Sequence, residues 1–116
     1  MVNHFGDRLV EKIRKTKSFL CLGVDPHLDL IPEIFNENGT INNIKIVETF
    51  CFSLVEAVIG KIPAIKPQIA FFEQLGPDGM NLLSSLCKYA HSKDFLVIMD
   101  AKRGDIGSTS KAYANA

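Results

Sequence analysis

The stretch Phe95-Leu96-Val97-Ile98-Met99-Asp100-Ala101-Lys102-Arg103-Gly104-Asp105 decides how this chain is read. A short apolar run gives way at once to charge and then to a glycine. That pattern predicts a buried strand, Phe95 to Met99, with ionisable groups at its C-terminal end.

Working back from it, Asp78 to Ser92 reads as a helix with Leu82, Leu83, Leu86, Cys87 and Ala90 on its inward face. Before that, Ile62 to Lys66 is a second short apolar run, ended by Pro67. Asn42 to Ile59 reads as a long amphipathic helix with Ile44, Val47, Cys51, Leu54, Val55 and Val58 on one face. Thr40 or Asn42 can cap its start, and Gly60 ends it. Pro26 to Gly39 is loop-like, with a helical turn around Ile31 to Phe35. Phe19 to Val24 is the first apolar run, closed by Asp25-Pro26, and reads as a buried strand. Phe5, Leu9 and Ile13 recur at helical spacing among charges, so a first helix should end near Lys17. Forward of the third strand, a glycine-bearing loop from Arg103 to Gly107 leads to a last helix, with Ser108 or Thr109 as its cap.

Helices of this length between strands imply βαβ units and a parallel α/β sheet. Residues 1–116 form one domain, but three strands with their helices are an incomplete one. Parallel sheets are normally covered on both faces and their edges need protection. The expectation is a piece of a larger α/β fold whose exposed edges favour aggregation or swapped assembly.

Composition narrows the function classes. Lys plus Arg and Asp plus Glu balance at 13 each, which leaves no basic footprint for nucleic acid and no polybasic membrane anchor. No stretch reaches the roughly 20 apolar residues of a membrane span. Met1 to Lys17 is studded with charge where a signal peptide needs an apolar core, so a cytoplasmic protein is expected. Cys21, Cys51 and Cys87 are widely spaced, form no C-x-x-C pair, and read as buried reduced thiols. His4, His27 and His91 show no metal-ligand spacing. His27 reads as a solvated loop residue, and His91 sits where it favours a helix C-terminus. Phe71 and Phe72 read as packing. Arg103 suits either a phosphate or an exposed loop.

Each strand ends in charge: Asp25 after the first, Lys66 at the second, Asp100 and Lys102 at the third. In parallel α/β folds that is the ligand-binding end. If strand geometry persists that far, Asp100 and Lys102, two apart, point the same way, and Asp105 lies beyond a glycine where the chain can turn sharply. With Lys66 they can form an alternating Lys-Asp-Lys-Asp array. Flanking carboxylates hold an ammonium protonated and rigid, ready to protonate a developing carbanion. A structural ion-pair network at a strand end is the other reading of the same pattern.

Asp100-Ala101-Lys102-Arg103-Gly104-Asp105-Ile106 resembles the D-x-K-x-x-D-I signature of the orotidine 5′-monophosphate decarboxylase family. With Gly107-Ser108-Thr109 it resembles the longer bacterial branch. Leu22 to Pro26 and Ile65 to Glu73 resemble the family's first and second strand ends, and Phe5 to Leu9 its N-terminal helix. The resemblance implies a (β/α)8 TIM barrel, of which this chain holds roughly the first three βα units after an N-terminal helix. It implies a carboxy-lyase that turns orotidine 5′-monophosphate into UMP in pyrimidine biosynthesis, with no metal and no organic cofactor. By the same resemblance, Lys102 donates a proton to C6 of the pyrimidine and Asp100 lies beside the scissile carboxylate. Lys66 and Asp25 contact the ribose and hold the network, and Ile106 joins the substrate contacts. Asp105 and Thr109 reach into a partner subunit's site, so a homodimer with a shared active site is expected. A barrel of this kind typically needs about 250 residues, and its phosphate site is built by loops after the last strands. This chain on its own is therefore expected not to be an efficient decarboxylase.

Two other readings compete. A related magnesium-dependent sugar-phosphate decarboxylase or aldolase would use a similar pattern, and strand-end carboxylates suit Mg²⁺. The contexts Lys66-Pro67-Gln68 and Arg103 to Thr109 point away from it. The chain could also be a non-catalytic remnant, or one half of a split enzyme that pairs with a separately encoded partner. Adhesion through Arg103-Gly104-Asp105 is set aside, because the tripeptide is short and the chain reads as cytoplasmic.

Overall fold

Three short strands pair side by side in a computed structural model that describes residues 4–36 and 43–116. Strands β1 (Cys21–Val24), β2 (Ala64–Pro67) and β3 (Leu96–Val97) form one parallel sheet in the order β1-β2-β3. Helix α1 (Phe5–Thr16) precedes β1, and α2 (Asn43–Ala57) connects β1 to β2. A single-turn α3 (Ala70–Glu73) and the long α4 (Gly76–Ser92) connect β2 to β3, and α5 (Gly107–Asn115) follows. Two 3-10 turns, Leu28–Leu30 and Glu33–Asn36, occupy the loop after β1. The candidate caps Thr40 and Asn42 lie outside the described residues.

The core lies between the sheet and α2 and α4. Val24 and Ile65 from the strands meet Val47, Cys51 and Val55 of α2, Leu82, Leu83, Leu86 and Ala90 of α4, and Phe72 of α3. These are the helix faces expected from periodicity, except that Leu54 does not join the cluster; Ile44, Val58 and Cys87 pack at the margin, half-buried. Phe71 joins a smaller cluster with Ala70 and Ala112, which seats α5 on α3. Both phenylalanines are thus packing residues.

Pro67 is the last residue of the second strand and still pairs with Val24. Its C=O accepts from Asp100 N–H at 3.1 Å, but its ring nitrogen has no hydrogen to return toward β3. The register, with Ile98 N–H bonded to Ile65 C=O and Ile69 N–H to Asp100 C=O, leaves a gap in the ladder at that point. This is why β3 is two residues long rather than the five expected, and why pairing resumes as a lone bridge between Gln68 and Asp100.

Other expectations need correction. The first apolar run is not buried along its length: Phe19 and Leu20 are 87% and 69% exposed, and only Val24 of β1 is fully buried. β1 is an edge strand among the described residues, so one of its edges meets no partner strand. Cys21 is accordingly exposed, although it is free, as are Cys51 and Cys87. Helix α1 forms where expected, yet none of its residues is buried. Ser108 and Thr109 lie within α5 rather than capping it, and no side chain caps its first turn.

Helix α4 ends in a turn that glycine usually makes. Phe95 N–H reaches Ala90 C=O and Asp94 N–H reaches His91 C=O, the bonding of a Schellman stop. The left-handed position is Asp94, with φ of 70°. Its carboxylate takes ion pairs from Lys12 and, at 2.7 Å, Lys15. These pairs tie α1 to the end of α4 and offset the strain of a non-glycine residue there.

Candidate active site at the strand ends

The C-terminal ends of β2 and β3 bring three of the expected charges together. Lys66 is on β2, and its Nζ lies 3.5 Å from Asp100 Oδ2. Lys102 pairs with the other carboxylate oxygen, Oδ1. Asp100 is therefore a bridge between two ammonium groups. Its side chain is 14% exposed, against 39% for Lys66 and 71% for Lys102. Asp100 and Lys102 meet through this ion pair, although the regular strand ends at Val97.

The electrostatics follow from this contact. The Lys102 hydrogen bond, then the charges of Lys102 and Lys66, hold the Asp100 carboxyl below its ordinary value. The same bond, with the charges of Asp100 and Asp105, holds the Lys102 ammonium above its own. Both groups are thus ionised at neutral pH, and Lys102 retains the proton it would have to donate.

The rest of the expected array is looser. Asp105, at φ of 60° after Gly104 at 84°, turns its carboxylate onto Ile106 N–H at 2.8 Å. It acts on Lys102 through space and not by contact. Asp25 is exposed just past the end of β1, and among the described residues it is not in an ion pair with Lys66 or Lys102. Ile106 is 83% exposed, and Thr109 is half-buried in the first turn of α5. Among the described residues no group of three or more His, Cys, Asp or Glu is placed to hold a metal ion.

Four residues outside the expected array surround it. Gln68, 4% exposed, donates its amide to Asp100 Oδ2 at 3.1 Å. Tyr113 of α5 donates its hydroxyl to Gln68 Oε1 at 3.0 Å. Arg103 pairs with Glu73 of α3 at 2.6 Å and lies over the Tyr113 ring at 5.2 Å from its centre. Arg103 is thus an exposed loop residue, one of its two expected readings, with its guanidinium held by Glu73. The spacing held one usable signal: Gln68 is two residues past Lys66 and so shares its strand face. Nothing local in the sequence links Tyr113 or Glu73 to Asp100.

His27 is also not a solvated loop residue, since its ring packs on Phe71 with centres 4.3 Å apart. Both line a separate cavity of about 340 Å³ with Asp29, Gln74, Ser108 and Lys111. No member of the Lys66–Asp100–Lys102 array lines it.

A parallel sheet with helices on its outer face and ionised groups at its C-terminal strand ends is the architecture of a βα-barrel. The chain belongs to the Orotidine 5′-phosphate decarboxylase / HUMPS family, which matches residues 18–116. It is 40% identical over 116 residues to an orotidine 5′-phosphate decarboxylase of Rhodopirellula baltica, covering 97% of this chain and 38% of that protein. A Caldicellulosiruptor saccharolyticus protein of the same name is 38% identical over 120 residues, covering 97% and 39%. A crystal structure from Streptomyces avermitilis, provisionally assigned as an orotidine 5′-phosphate decarboxylase, superposes with a TM-score of 0.73 at 38% identity. It covers 97% of this chain and 38% of the other. A provisionally assigned Toxoplasma gondii protein gives a TM-score of 0.72 at 33% identity, covering 96% and 35%. The chain therefore spans about 38% of the length of the curated relatives it matches, and its three strands are the first βα units of a TIM barrel.

Proposed function

We propose that this chain supplies the charged half of the active site for decarboxylation of orotidine 5′-monophosphate to UMP, in a (β/α)8 barrel completed by further βα units. The observation that carries this reading is Asp100 held between Lys66 and Lys102 at adjacent strand ends. In the proposed reaction the bond from C6 to the carboxylate breaks and CO₂ leaves. The electron pair stays on C6 and takes the Lys102 proton, which water later restores. A protonated lysine already held by a carboxylate needs little reorganisation as that charge develops. Asp100 sits beside the scissile carboxylate in this scheme; Lys66 and Asp25 contact the ribose, and Ile106 joins the substrate contacts. Asp105 and Thr109 reach toward a second subunit, which makes the working form a homodimer with a shared site. A cytoplasmic setting suits such a metabolic enzyme, and no helix among the described residues is long and apolar enough to cross a membrane.

The test follows loss of substrate absorbance, without added metal, for the chain alone and for the chain joined to the C-terminal units of a related enzyme. Turnover is expected only from the completed barrel. Lys102→Ala should lower it by about 10²–10⁴-fold, the usual contribution of a positioned proton donor. A folded, completed barrel without turnover would overturn the proposal.

A further inference from the structure

Asp100 can serve either lysine only if its carboxylate plane is fixed, and the array alone does not fix it. Lys102 is 71% exposed and Lys66 39%, and long exposed ammonium side chains exchange partners readily. Among the described residues, the one nearly buried side chain that bonds the Asp100 carboxylate is Gln68. We propose that Gln68 is a positioning residue, locked in one amide orientation by Tyr113 and the Ala70 backbone, that sets the Asp100 carboxylate between Lys66 and Lys102. The inference rests on the proposed function for its purpose, though not for its geometry.

The orientation of the amide follows from its neighbours. Ala70 N–H can only donate, and it faces one terminal atom of Gln68 at 3.4 Å, so that atom is the oxygen. The ionised carboxylate can only accept, and it faces the other terminal atom, so that atom is the nitrogen. The Tyr113 hydroxyl, at 3.0 Å, adds a second donor to the oxygen. A flipped amide would point oxygen at carboxylate and NH₂ at an N–H, which is costly at a buried site. Tyr113 is itself held, because Arg103 lies over its ring and is anchored by Glu73. The polar chain from Glu73 through Arg103, Tyr113 and Gln68 therefore ends on Asp100. It also explains the choice of side chain. A glutamate at position 68 would match the shape but set a second negative charge about 3 Å from Asp100.

The test reads the Asp100 carboxylate by ¹³C NMR titration, which needs no turnover. The charged and titratable groups around it are Lys66 on β2, Lys102 and Asp105 in the loop after β3, and Tyr113 on α5. Wild type should titrate below the ordinary carboxylate range. Gln68→Met, which keeps the shape and loses the donor, should raise the midpoint by about one pH unit, as expected for one hydrogen bond to a charged group. Gln68→Glu should raise it further, since a like charge replaces a donor. Tyr113→Phe should move it the same way by less, and it remains informative if the Gln68 variants fail to fold. An unchanged Asp100 midpoint in folded variants overturns the assignment, whether or not a completed barrel turns over. A moved midpoint in a barrel whose wild type lacks turnover overturns the proposed reaction and leaves the positioning role standing.

Discussion

Asp100 receives Lys102 on one carboxylate oxygen, and Lys66 and Gln68 on the other. One residue so held can keep a neighbouring ammonium charged, because each of these contacts favours its ionised form. Cysteine shows the opposite control, by burial. Cys51 is fully buried in the core and its thiol is pushed up to about 12 by desolvation. Cys87, half-buried, is raised for the same reason. Cys21 is raised by desolvation as well, but the Lys66 charge pulls it back and its position is exposed. In a thiol-labelling experiment at pH 8, Cys21 should react first and Cys51 only after unfolding, since the thiolate is the reactive form. Labelling of Cys51 at the rate of Cys21 in folded protein would contradict the packing described.

Elements are held together here at points where one atom decides the fit. Helices α3 and α4 approach so closely at Gly79 that an added Cβ would sit 2.0 Å from Phe72 C=O and 2.7 Å from Leu75 Cβ. Backbone cannot yield as a side-chain tip can. Gly79→Ala should therefore destabilise the chain by about 1–3 kcal/mol despite alanine's better helix propensity, and urea unfolding would show it. A variant as stable as wild type would mean that the α3–α4 contact is looser than the geometry states. Pro67 acts on the sheet in the same local way: one missing hydrogen shortens β3 and leaves Asp100 on a lone bridge to Gln68.

The whole molecule leaves much of itself uncovered. Its radius of gyration is 15.0 Å, where a compact chain of this length gives about 13 Å. Phe19 and Leu20 stand exposed before β1, and Ile98 and Met99 are more than a third exposed beside β3. Unpaired sheet edges flanked by apolar side chains recruit other chains. The isolated chain should sediment heavier than its 12.8 kDa monomer, and a Phe19→Lys, Leu20→Lys double variant should shift it toward the monomer. A monodisperse wild-type monomer would contradict this. Global stability should also fall in acid. Asp94, bound by Lys12 and Lys15, and Asp100, bound by Lys102, both titrate lower folded than unfolded. The unfolded chain then takes up more protons, so the stability these groups supply is present above their ordinary value near 3.8 and is lost as pH falls below it. Urea midpoints at pH 3 and pH 6 should differ less in Asp94→Asn than in wild type.

The sequence by itself determined the order of the strands and of every α-helix but the single-turn α3, the parallel class of the sheet, the inward faces of α2 and α4, and the charges at the strand ends. All of these depend on period and on residues close in the chain, which the sequence shows directly. Tertiary structure alone decided the rest. Pro67 breaks the ladder only because β3 lies beside it, and Asp94 tolerates a left-handed turn beside the lysines of α1. Asp25 and Asp105 stay outside the contacts around Asp100, while Gln68 and Tyr113 enter them from 32 residues before and 13 after. Their partners are set by how α3, α5 and the sheet pack, and no local spacing encodes that packing.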